Sequence, residues 1–141
     1  MKACIAKYTK KHYDTVYAVF RIVVGLLFAQ HGAQKLFGLF TDNAAVKLVS
    51  LMGVAGVIEL VGGLAIALGV LTRLAALGSA LLMVGAYLTA HLNVGGGLAG
   101  WMPIMNQGEL ALLYLAAFLI ILAHGSVKWG LEWKLTGKER C

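Results

Sequence analysis

The chain has 141 residues, of which 60% are hydrophobic and only 13% charged, and its mean hydropathy is +0.83. A soluble domain is nearer half apolar and about a quarter charged, so this composition excludes an ordinary soluble fold and specifies a membrane protein. The net charge of +6 gathers mostly at the chain ends beside apolar segments, which is the pattern of membrane orientation and not of nucleic-acid binding.

A single proline and the lack of any linker-like tract predict one membrane domain over residues 1–141. The chain opens on a basic leader, Lys2 to Lys11, followed by an apolar run. A signal peptide would look similar, but Arg21 inside the run and three further apolar segments argue against it. A hydrocarbon core of roughly 30 Å needs about 20 apolar residues in helix. Val16–Phe37, Leu51–Leu71, Leu74–Leu92 and Asn106–His124 meet that need, the last with a clean apolar core only over Leu110–Ala123. No strand-like alternation competes. The expected fold is an all-α bundle of four transmembrane helices. Small residues at four-residue steps, Gly25/Ala29/Ala33, Ala65/Gly69 and Ala76/Ala80, predict close helix packing. The tail 125–141, with Trp129 and Trp133 among lysines, is expected to lie at the inner interface.

Lysine and arginine give the direction. Lys2, Lys7, Lys10, Lys11, Arg21, Arg73, Lys128, Lys134, Lys138 and Arg140 fall on one side of a four-span chain, and only Lys35 and Lys47 on the other. The positive-inside rule then makes both termini cytoplasmic. Cys4 and Cys141 match no metal or redox spacing and read as free thiols on a reducing face.

With that direction, polar residues of all four spans share the outer half of the bilayer. His31 and Lys35 end the first, Glu59 enters the second, Thr89 and His91 end the third, and Asn106, Gln107 and Glu109 open the fourth. At about 100° per residue, Arg21, His31 and Lys35 lie within roughly 80° of one another on one helix stripe, and Gln34 extends it. On the second span, Glu59 shares its face with Gly56, Gly62 and Gly63, which suits a helix seam or a flat ligand. The Gly-rich stretch 93–109 would fold over the mouth and bring Trp101 above it. Ionisable groups inside a membrane usually face the bundle interior and mark function, although Glu59 with Lys35 or His31 could equally be a structural ion pair. His, Glu and Lys at an apolar mouth suit a quinone, whose reduction takes up protons. His31 and His91 could also ligate haem, though no haem- or metal-ligand spacing supports it and no metal site is expected. Nucleophilic catalysis and phosphate-cradling loops find no matching residues.

The stretch R-x3-GLLF-x2-HG-x2-KLFG at 21–38, the segment GVIELVGGLAIALGVLTRLAAL at 56–77, Ala86-Tyr87 and Ala90-His91 closing the third span, and Glu109 opening the fourth resemble the DoxX family of small bacterial four-helix membrane proteins. The closing HGSVKWGLEW departs from the usual ending of that family. The resemblance implies a multi-pass protein of the bacterial inner membrane. It further implies a membrane subunit or anchor of an oxidoreductase that uses quinone, with Arg21, His31, Lys35, Glu59, His91 and Glu109 as its polar positions. Two other readings stay open. One is a non-enzymatic scaffold or receptor that recruits a soluble partner through the basic tails and the Gly-rich loop. The other is a small-solute transporter, which the apolar inner half disfavours. Self-association is left open.

Overall fold

The computed structural model describes residues 2–137, apart from the side chains of residues 2–11, Lys128 and Thr136. Lys138, Arg140 and Cys141 lie outside the described residues, as do the side chains of Cys4 and of the leader lysines. All regular structure among the described residues is helical. Helix α1 runs Lys2–Phe37, α2 Leu51–Leu68 and α3 Thr72–Ala86, and α3 continues into a π-helical turn, Tyr87–His91, closed by Leu92 N–H donating to Tyr87 O at 2.9 Å. The short helices α4 (Gly97–Trp101) and α5 (Pro103–Asn106) precede α6 (Glu109–His124), and α7 (Leu131–Thr136) closes the described chain.

Among the described residues, three helical segments are long and apolar enough to cross a membrane: His12–Phe37, Leu51–Leu68 and Thr72–His91. Helix α6 is apolar but has 16 residues, about 24 Å of helix against a hydrocarbon core of about 30 Å. It starts three residues later than expected because Gln107 takes a left-handed conformation and ends α5. The second helix likewise stops at Leu68, where Gly69 adopts φ 72°. A side chain there would strike Gly130 and Arg21 as well as strain the backbone. At its other end Ser50 Oγ accepts from Gly53 N–H at 3.1 Å and caps α2.

The closest packing is α1 on α2. A Cβ at Gly32 would come within 2.3 Å of Leu60 N, and one at Gly63 within 2.5 Å of Ala29 N, so these glycines let the two backbones touch. In lipid, association depends on such packing because lipid tails are as apolar as leucine. Gly25 and Ala29 belong to the seam as expected, while Gly69 serves the turn instead. Helix α6 packs closely on α3, whereas α1 meets it through long side chains, Phe28 lying against Tyr114 and Phe118. The core between them is Phe28, Ile66, Ala76, Ala80, Met83, Tyr114, Phe118 and Ile121.

The two ends of the chain meet at one end of the bundle. Tyr17 Oη donates to Gly125 O at 2.7 Å, and Glu132 N–H donates to Gly69 O at 3.2 Å. The tail therefore docks under the α2–α3 turn with Ser126 and Glu132 buried, while Trp129, Trp133, Lys134 and Leu135 face outward. The expected surface-lying segment is in this respect part of the fold.

Candidate functional site

At the opposite end, α1 carries Phe28, His31 and Lys35 on successive turns of one face. They line a cavity of about 190 Å³, the volume of roughly six waters. Glu59 of α2, Met83 and His91 of the third helix, Gln107, and Leu110 and Tyr114 of α6 complete its walls. Thus His31, Lys35, Glu59 and His91, expected to cluster, share one cavity.

The charges are asymmetrically satisfied. Glu59 is only 4% exposed. Lys35 Nζ donates to its Oε1 at 2.5 Å, while Oε2 has no hydrogen-bond partner among the described residues. Such a buried, unmade bond costs about 1–3 kcal/mol and more for a charged group. The glycines flanking Glu59 do not make room for a ligand, because Gly56 and Gly63 lie in the α1–α2 seam and Gly62 lies against Ser79. His91 Nδ1 lies 3.1 Å from Asn106 O. A carbonyl only accepts, so Nδ1 carries the proton, and Nε2 is the nitrogen turned to other partners.

Aromatic rings form one wall. Tyr114 meets His31 edge-on, with centroids 5.9 Å apart and planes at 87°, and packs on Phe28 at 5.3 Å and Phe118 at 5.7 Å. Sequence reasoning missed Tyr114 altogether and noted Gln107 only as a helix opener. The signal lay in helix phase: Tyr114 and Glu109 are about 140° apart on α6, so they cannot both face inward. Tyr114 shares its face with Ala111, Ala117 and Phe118, and all are buried.

Four expected residues lie elsewhere. Glu109 is exposed in the first turn of α6, where a carboxylate suits the helix N-terminus, and it lines not the cavity but a neighbouring cleft with Pro103 and Ile104, which meets the cavity wall at Gln107 and Leu110. Trp101 is 55% exposed and absent from the cavity wall; its carbonyl accepts from Tyr87 Oη at 3.4 Å. Gln34 lines another groove, with Leu27, Gln30 and Phe40, on the far side of His31. Arg21 sits about 15 Å along α1 from His31. It is fully buried and donates to the carbonyls of Ile66, Ala67 (3.1 Å) and Trp129 (3.5 Å). Those carbonyls, at the end of α2 and in the docked tail, hold it inside. No group of three or more His, Cys, Asp or Glu gathers into a metal site among the described residues.

The DoxX family profile matches residues 16–92, which carry His31, Lys35, Glu59 and His91. The chain belongs to the DoxX family. This DoxX protein is 39% identical over 125 residues to an "Uncharacterized protein" of Haemophilus influenzae, covering 86% of this chain and 91% of the relative. It is 29% identical to an uncharacterized membrane protein of Mycobacterium tuberculosis, over 82% of this chain and 78% of that one. A Bacillus subtilis relative, 28% identical over 82% of this chain and 84% of its own, bears the name "Putative oxidoreductase CatD". No solved structure matches this DoxX chain.

Proposed function

We propose that this DoxX protein binds a quinone in the cavity at the His31 end and serves as a membrane subunit or anchor of an oxidoreductase. The observation that carries this reading is Glu59: a buried carboxylate in the cavity wall, with one oxygen held by Lys35 and the other without a hydrogen-bond partner among the described residues. A quinol hydroxyl would donate there or to His91 Nε2. Lys35, His31 and Gln107 offer donors to a carbonyl, and the Tyr114–Phe28 wall suits a flat ring. In this reading the chain's own residues bind the head group and exchange its protons, while its electrons pass to or from a partner oxidoreductase subunit. The small cavity favours a quinone ring over haem. The name of the Bacillus subtilis relative is in keeping with redox work.

The same reading makes α6 a fourth span and places the protein in the bacterial inner membrane with both termini in the cytoplasm. The pocket then opens to the outer half. Protein purified in mild detergent is expected to carry extractable quinone and to lose it in Glu59→Gln and His31→Ala. Wild type without quinone, together with mutants that bind added quinone as it does, would sink the proposal. A scaffold role is tested poorly by removing the tail, because residues 125–137 cover Arg21 and Gly69. Charge-reversed Lys134, exposed on α7, is the cleaner probe of a recruited partner.

A further inference from the structure

A second cavity continues the first. It measures about 220 Å³ and lies in the seam between α1 and α6, walled by Val24 and Leu27 on one side and Leu113 and Ala117 on the other. Leu110 and Tyr114 line both cavities, so the polar pocket and the apolar groove adjoin. Val24 lies about 10 Å along α1 from His31, near the middle of the His12–Phe37 span. The groove therefore runs from the polar end toward the depth of lipid tails.

Its walls face the bilayer. Leu27, Leu110 and Leu113 are 47%, 50% and 67% exposed, and the α1 and α6 backbones stand apart, bridged by the rings of Phe28, Tyr114 and Phe118, unlike the glycine-lined α1–α2 seam. No small-residue stripe draws this seam shut, and lipid supplies no hydrophobic drive to close it. A polar pocket that leads into an apolar slot open to the membrane fits an amphiphile with a head and a tail.

We infer that the pocket takes a tailed, membrane-dissolved quinone, which is admitted sideways between α1 and α6, its ring among His31, Glu59 and His91 and its tail in the Val24–Ala117 groove. The inference rests on the quinone reading above, and the two can fail separately. The test uses protein in nanodiscs and two probes with one head group, the single-isoprene ubiquinone and decylubiquinone. Binding of the short probe tests the quinone reading alone; its absence overturns that reading and this one with it.

Plugging the groove tests the route, because the tail must leave the pocket somewhere. Ala117→Phe and Leu27→Trp are expected to raise the ratio of decyl to single-isoprene dissociation constants about tenfold, the effect of a modest steric misfit. An unchanged ratio in both folded variants overturns the inference. A decyl probe with a terminal diazirine needs no variant at all: labelling of residues 20–27 and 113–117, competed by excess decylubiquinone, supports the inference. Labelling confined to residues 93–108 would show admission through the mouth and overturn it. Phospholipid that copurifies with wild type and leaves the plugged variants, while the ratio stays constant, overturns it in favour of a structural lipid.

Discussion

Arg21 and Glu59 are both buried charges in the α1–α2 pair, and their surroundings are opposites. The guanidinium ends in backbone: its two terminal nitrogens donate to carbonyls of α2's last turn, the negative end of that helix dipole, and of the docked tail, and its Nε alone has no partner among the described residues. Arg73 repeats the device on α6, donating to Leu122 O at 2.7 Å and Ala123 O at 3.0 Å. At the other end, side chains meet side chains around a cavity, and Glu59 keeps an oxygen without a partner. A charge tied to the main chain holds a fold in place. A charge half-tied to another side chain leaves chemistry to a visitor.

That contrast is open to attack by substitution. Lys35→Met leaves Glu59 with no partner and is expected to destabilise the protein by about 3 kcal/mol, read as a lower thermal midpoint in detergent. Adding Glu59→Leu should recover most of that stability without restoring quinone binding. Recovery of binding in the double variant would show the pair to be structural only. Arg21→Met is expected to cost about 2 kcal/mol through its lost carbonyl bonds, with ligand affinity of the remaining folded protein unchanged. A drop in affinity would mean that the two ends are coupled. Smallest are Glu109→Gln and Trp101→Ala, exposed and off the cavity, each expected to change stability by under about 0.5 kcal/mol and quinone retention not at all.

Much of this arrangement was legible in the sequence because charges in apolar segments are rare and helical phase is strict. The first three helices and the grouping of His31, Lys35, Glu59 and His91 follow from those two facts. Sequence set Arg21 on the stripe of His31 and Lys35 but shows no carbonyls: what holds it apart from them is the end of α2 and a tail more than a hundred residues away. Trp101 and Glu109 were assigned to the mouth from linear nearness alone, whereas the left-handed Gln107 and the phase of α6 turn them aside. Tyr114 was hidden by its company. A tyrosine in an apolar run looks like core, and half of it is, since Phe118 covers one face of its ring.

The π-helical turn at Tyr87–His91 bears on how this chain can vary in length. Such a turn holds one residue more than the α-helical turn it replaces, and His91 closes it, aimed toward Asn106 and the cavity. Deleting the exposed Leu88 would let the turn close to ordinary spacing while Thr72–Ala86 stayed as it is. The surplus residue would be absorbed and His91 would stay near its place, whereas a residue lost from the α-helical stretch, such as the exposed Leu81, would swing His91 by about 100° with its identity untouched. At this corner the site is written in the number of residues as much as in their kinds, and a length change that spares every pocket side chain would still empty the pocket of an imidazole.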